Sequence, residues 1–216
     1  MNFEICKDFS PGFIMFELED HEILPIKKNI KRIYKNNFEN TRSLKSNLAG
    51  HIDHSYVLDD CHDYTNKLFN SLSQVYFETW PGYHEIVYKT ISLINNKNID
   101  LCLTDLWVNF QGKNQVNPFH AHTGVFSFVI WIEIPYDIEE ENKLSQISNS
   151  NYPVGANFQF FYLSSMGQII DHNIPVDKTF EKKGCFFPSC LNHQVLPFYT
   201  SNNYRISVSG NINNKL

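Results

Sequence analysis

The strongest constraint on this chain lies in its second half. Asn117-Pro118-Phe119-His120-Ala121-His122-Thr123-Gly124 runs straight into Val125-Phe126-Ser127-Phe128-Val129-Ile130-Trp131-Ile132. The second block is rich in β-branched and aromatic residues and Pro135 closes it, so a strand is expected over Phe126–Ile134. Two histidines, two residues apart, stand at its mouth. Side chains alternate across a strand, so His120 and His122 share a face if the strand begins by His120. Two imidazoles on one face can be aimed at one metal ion.

The rest of the second half reads the same way. Leu101–Gln111 and Asn157–Leu163 are strands by composition, and a hairpin around Met166-Gly167 leads to Gln168–Ile170. Phe180, Cys185–Phe187, Gln194–Phe198 and Arg205–Ile212 add further short strands between Gly, Pro and Asn turns, the pattern of a sandwich or jelly roll. Ile138–Val154 is acidic, then polar, and reads as an exposed loop or lid.

The first half is mostly helical. After a strand at Phe13–Leu18, a helix follows Pro25 with Ile26, Ile30, Ile33 and Tyr34 at helical spacing. Asn36–Asp53 is polar and irregular, with Asn47–Ile52 docking back on the domain. Leu68, Leu72, Val75 and Tyr76 mark a second helix, with Asp60 or Asp63 as its cap and Trp80-Pro81-Gly82 as its end. Val87, Ile91 and Ile94 mark a third, closed by Asn95–Asn98. No internal repeat or linker divides the chain. Helices followed by strands imply an α+β domain with N-terminal helices packed on one sheet.

Bulk properties narrow the functions. A 216-residue chain with 42% hydrophobic residues and 18 Phe can bury a substantial core. The formal net charge is −5 and no long basic run occurs, so no nucleic-acid or anionic-membrane surface is suggested. No apolar run approaches the ~18 residues of a membrane span, and the N-terminus lacks the features of a signal peptide. Five cysteines, without a CxxC, point to a reducing compartment. A soluble cytoplasmic protein is expected.

The chemistry resides in two sets. His193 stands beside a third apolar run, and with His120 and His122 it can bind a divalent transition metal, since imidazole suits iron, zinc, copper and nickel. The bland alternative is three hydrogen-bonded histidines, which is the reading given to His21, His51, His54, His62, His84 and His172. Arg205 and Ser207 share one face of the last strand. A guanidinium forks two donors onto a carboxylate and a hydroxyl adds a third, although an exposed arginine on an edge strand has the same sequence. Arg205 follows His193 by only 12 residues, close enough for a hairpin to bring it alongside the metal.

Taken in order, these motifs resemble a family. Trp107-Val108-Asn109-Phe110-Gln111, Asn117–His122, Ser127–Ile130, Phe187-Pro188-Ser189, His193–Phe198 and Arg205–Ile212 are similar to the small Fe(II)/2-oxoglutarate-dependent oxygenases of marine phages and bacteria. The resemblance covers about Leu101 to Ile212. It implies a double-stranded β-helix, a cupin-like jelly roll with N-terminal helices on its major sheet. It implies one oxygenase domain over 1–216, in which 1–100 supports and 101–212 carries the site.

By that resemblance His120, His122 and His193 ligate Fe(II), and Arg205 with Ser207 holds the distal carboxylate of 2-oxoglutarate. Asn109, Gln111 and Trp131 surround cosubstrate or substrate. His122 stands where the wider superfamily has an aspartate or glutamate, which leaves Asp105 and Asp171 as other sources of a carboxylate ligand. The implied reaction couples oxidative decarboxylation of 2-oxoglutarate by O2 to oxidation of a substrate the sequence does not name, in the cytoplasm, or in that of a host if the gene is a phage's. Two alternatives stand beside it: a three-histidine cupin dioxygenase without 2-oxoglutarate, and a non-enzymatic jelly-roll binding or structural protein.

Overall fold

The structure is a computed structural model, and it describes residues 1–6, 11–95 and 99–215. The first two stretches supply β1 (Asn2–Cys6), β2 (Phe13–Glu17), α1 (Asp20–Lys35), β3 (His54–Val57), α2 (His62–Thr79) and α3 (Pro81–Asn95). The third supplies β4 (Leu101–Gln111), β5 (Asn117–His120), β6 (Phe126–Glu133), α4 (Ile138–Lys143), α5 (Ser145–Ser148), β7 (Phe158–Leu163), β8 (Ile169–Ile174), β9 (Lys183–Pro188), β10 (His193–Val195) and β11 (Arg205–Asn214). Seven strands form one sheet in the order β1-β2-β9-β6-β11-β4-β3, and four form a second in the order β5-β10-β7-β8. Every pairing of named strands is antiparallel.

The apolar run in β6 has a simple cause: both of its faces are buried. Phe126, Phe128, Ile130 and Ile132 pack with the helices, while Val129 and Trp131 join the core shared with the smaller sheet. The helices bring Ile23, Ile26, Ile30 and Ile33 from α1, Phe69, Leu72 and Tyr76 from α2, and Val87 and Ile91 from α3. Phe69 stacks on Phe128 with ring centroids 4.1 Å apart. Gly210 in β11 makes this fit possible, because a Cβ there would stand 2.5 Å from Phe128 Cζ. Between the sheets lies the second core, with Phe13 and Phe187 from the larger sheet and Phe158 and Phe160 from the smaller. Burying a side chain of this size contributes about 1.5–3 kcal/mol.

Several expectations are corrected. The first helix starts at Asp20, ahead of Pro25, because Glu19 and Glu22 form a reciprocal capping box that fixes the start. Neither Asp60 nor Asp63 caps α2, whose N-cap is Cys61 without a side-chain bond. Beside the expected strand β2, residues 1–100 add β1 and β3 to the larger sheet as well as the helices. The closing of the third helix at 96–98 falls outside the described residues. The segment 138–154 is not an open loop: it holds α4 and α5, and the buried Glu141 carboxylate accepts the Tyr199 and Thr200 backbone N–H groups, both at 2.7 Å. Among the described residues no helix is long and apolar enough to cross a membrane.

Candidate metal centre

The two histidines of the opening motif do not begin the long apolar strand. His120 ends the separate short strand β5, and His122 lies in the connection to β6. They converge nonetheless. On the smaller sheet His120 is the direct cross-strand partner of His193 in β10, which places their rings 4.2 Å apart. His122 is set from the other side, its backbone N–H bonded to Ser189 O at 2.8 Å. Gly124, at φ +119°, then turns the chain into β6, a backbone angle that favours glycine.

One ligand atom from each of the three imidazoles lies within 4.8 Å of the others. Small ring rotations would close that spacing to the ~3 Å edge of a coordination face with metal–nitrogen bonds of ~2.1 Å. The hydrogen bonds of two rings settle which nitrogen is free. His120 Nδ1 is 2.7 Å from Pro118 O and His193 Nδ1 is 2.9 Å from Leu191 O. Each Nδ1 must therefore carry the proton and donate, so each Nε2 keeps its lone pair for the centre.

The electrostatics agree with neutral ligands. Burial, and then the adjoining His120 and His122, hold His193 well below the usual imidazole range. Burial and the nearby His120 bring His122 down to about 4, with Asp105 pulling the other way. Burial also lowers His120. All three rings are uncharged at neutral pH, as metal binding requires. This donor set fits a divalent transition metal. Neither Asp105 nor Asp171 belongs to the cluster. Asp105 is exposed, and Asp171 is engaged by Asn173 and the Tyr152 hydroxyl.

The histidines line a narrow pocket, partly open to solvent, between the two sheets. Strand alternation decides what else faces it. Trp107, Asn109 and Gln111 of β4, Val129 and Trp131 of β6, and Arg205, Ser207 and Ser209 of β11 all turn inward. Their neighbours Val108, Phe110, Ile130, Ile206 and Val208 pack under the helices. Every residue expected at the site thus reaches one cavity. The reading from sequence missed Ser209, although it continues the same alternation. It also missed Ser55, whose hydroxyl donates to Asn109 Oδ1 at 2.7 Å, while Leu48–Gly50 and Ile52, from the segment expected to dock back on the domain, form one wall of the pocket.

The end of the pocket away from the metal group is built differently. Arg205 is buried and each of its five N–H groups has an acceptor. Nη1 donates to Tyr136 OH at 2.7 Å and Ala156 O at 2.8 Å. Nη2 donates to Leu196 O at 2.8 Å and Gln111 Oε1 at 2.7 Å, and Nε donates to the same Gln111 oxygen at 3.2 Å. Among the described residues Ser207 and Ser209 have no hydrogen-bond partner for their hydroxyls, and none meets the Asn109 Nδ2. Donors therefore remain available to a small acid in the cavity.

Residues 105–211 match a family model described as "Putative 2OG-Fe(II) oxygenase". No curated protein matches the chain. Among solved structures, a prolyl-4-hydroxylase from Pseudomonas putida aligns with a TM-score of 0.54 at 10% identity, covering 94% of this chain and 93% of that one. A 2OG-Fe(II) oxygenase-family oxidoreductase from Burkholderia pseudomallei aligns at 0.48 and 12% identity, covering 93% and 84%. The viral collagen prolyl hydroxylase of Paramecium bursaria Chlorella virus-1, in complex with 2OG, aligns at 0.43 and 11% identity, covering 93% and 94%. At such identities the first likeness speaks for the mixed helix and antiparallel-sheet fold alone, while the family match bears on the chemistry. Over residues 105–211 the chain is similar to the 2OG-Fe(II) oxygenases, which indicates an oxidoreductase whose cofactors are Fe(II), 2-oxoglutarate and O2.

Proposed function

We propose that this chain couples oxidative decarboxylation of 2-oxoglutarate to oxidation of a second substrate, with His120, His122 and His193 as the iron ligands. The two sheets are read as a double-stranded β-helix, and 1–216 as one oxygenase domain in which 1–100 brace the sheet that carries the site. The observation that carries this reading is the convergence of three neutral imidazoles in the cavity that also holds Arg205 and Ser207. Five free cysteines accord with a cytoplasmic setting, in a host if the gene is a phage's.

Each part of the chain has a task in this reading. The Nε2 atoms of His120 and His193, with the His122 ring, hold the metal and leave positions open for other ligands. Arg205 and Ser207 orient the distal carboxylate of the cosubstrate. Asn109 is turned by Ser55 so that its amide N–H groups face the cavity. Trp131, Phe158 and Phe187 line the cavity with apolar surface and keep water from the reacting centre. Bound Fe(II) supplies the oxidising chemistry with O2, the cosubstrate leaving as succinate and carbon dioxide.

The test is an anaerobic titration of tryptophan fluorescence, because Trp107 and Trp131 line the cavity. Saturable, metal-dependent quenching by 2-oxoglutarate is expected, as is succinate release in air. No metal-dependent binding of 2-oxoglutarate would overturn the proposal. It would leave the second reading, a three-histidine dioxygenase without 2-oxoglutarate, which the all-histidine ligand set and the fully engaged Arg205 favour. The non-enzymatic alternative finds no support in a match to an oxygenase family.

A further inference from the structure

Arg205 faces the cavity that a cosubstrate would enter, yet it has no N–H group to spare. A carboxylate can bind it only by displacing an acceptor already there. The acceptors are not equally fixed. Ala156 O and Leu196 O are backbone atoms held by their own strand-end bonds, Ala156 N to Pro197 O at 3.1 Å and Leu196 N to Asn157 O at 2.9 Å. Tyr136 is buried and stacked on Phe198, ring centroids 4.9 Å apart. These three hold Nη1 and the outer side of Nη2.

Gln111 is different. It is the cross-strand partner of Arg205, and its Oε1 alone takes both Nε and Nη2. That pair is the side edge of the guanidinium, one of the two edges that a carboxylate grips with paired oxygens. Gln111 is as buried as Tyr136, but it reaches the guanidinium through a side chain with three rotatable bonds and no ring stack, and among the described residues its Nε2 is tied only to Gln115 O, at 2.6 Å. Both residues line the cavity. Rotation of Gln111 therefore frees one guanidinium edge without moving any backbone.

We infer that Gln111 is a stand-in for the cosubstrate carboxylate, satisfying the buried Arg205 until the diacid takes its place and so setting how tightly the diacid binds. This rests on the proposal that Arg205 anchors 2-oxoglutarate. Binding is then an exchange of acceptors on one cation. Its gain is the difference between a charged bidentate partner and a neutral amide oxygen, not the full strength of a new ion pair. An arginine left unpaired in an empty site would carry a large desolvation cost, and the amide oxygen removes it.

The test measures the dissociation constant of 2-oxoglutarate by calorimetry on Mn(II)-loaded protein, which binds without turnover. Gln111→Met keeps the bulk but removes the competing oxygen, and roughly tenfold tighter binding is expected. Gln111→Glu places a permanent carboxylate on the same edge, and roughly a hundredfold weaker binding is expected together with a raised Tm. A merely structural role cannot produce tightening, because loss of support weakens a site. Unchanged or weaker binding in Gln111→Met, or unchanged binding in Gln111→Glu, overturns the stand-in role while leaving the oxygenase reading intact. Because Gln111→Glu keeps an acceptor for Arg205, its affinity decides between the outcomes even where Gln111→Met does not fold. Wild-type protein that binds no 2-oxoglutarate overturns both.

Discussion

The two ends of the cavity solve opposite problems. At one end three imidazoles meet with two Nε2 lone pairs left unengaged by their own hydrogen bonds. At the other a buried guanidinium has every donor engaged. The difference follows from charge. A neutral ring can be buried with an unshared lone pair at modest cost, and burial itself keeps it neutral by lowering its pKa. An arginine cannot shed its proton, so the fold must surround it with acceptors. The metal end is ready to receive a ligand; the arginine end must exchange one.

The largest expected effect comes from removing a member of the open end. His193→Ala should reduce bound iron from about one equivalent to near zero while far-UV circular dichroism stays unchanged, because only ligand geometry is lost. Metal analysis after desalting checks it, and undiminished iron would remove His193 from the site.

Next comes the closed end. Arg205→Ala leaves Gln111 Oε1 and Leu196 O without their donor, while Tyr136 OH still donates to Ala156 O at 3.3 Å, so destabilisation of about 2–5 kcal/mol is expected in urea unfolding. In the folded fraction 2-oxoglutarate should bind about 2–4 kcal/mol more weakly. A stable variant would show that the five bonds contribute little.

A third effect separates the ends by pH. His122 titrates at about 4 in the fold and near 6.5 when unfolded, so the unfolded chain binds the extra proton between those values. Stability of the metal-free protein is therefore full above about pH 6.5 and falls as pH drops toward 4, by about 3 kcal/mol from this ring. His122→Leu should lessen that slope without abolishing it, because burial also lowers His120 and His193, whereas a guanidinium does not titrate in this range. A slope unchanged in His122→Leu would assign it to other groups.

The smallest effect is expected at Ser207. Its hydroxyl has no partner among the described residues, so Ser207→Ala should leave Tm within the usual scatter of surface changes. It should weaken 2-oxoglutarate by about 1 kcal/mol. A fall in Tm without a change in affinity would make Ser207 a packing residue.

Much of this was legible from the residues in order. The period-2 pattern of β4, β6 and β11 is local, and it sorts Asn109, Gln111, Trp131, Arg205 and Ser207 onto the cavity side while Val108, Phe110, Ile130 and Val208 go under the helices. β1 and β3 were not legible. They are short edge strands whose pairing with β2 and β4 exists only once the sheet is assembled. The segment 138–154 misled because its surface is acidic and polar; one buried carboxylate, Glu141, docks it, and nothing local marks that glutamate from its neighbours Glu139 and Glu140.

By itself the sequence determined the chemical inventory and its faces: three imidazoles, one guanidinium and a row of inward polar side chains on apolar strands. Those are consequences of residue identity and strand alternation, which act over a few positions. Only the tertiary structure decided that His120 and His122 belong to different elements yet meet His193. It alone decided that Arg205 is already satisfied, since its acceptors come from residues 111, 136, 156 and 196, two of them through backbone oxygens. A carbonyl group carries no sequence signature, and which one faces a buried cation is settled only when distant strands pack.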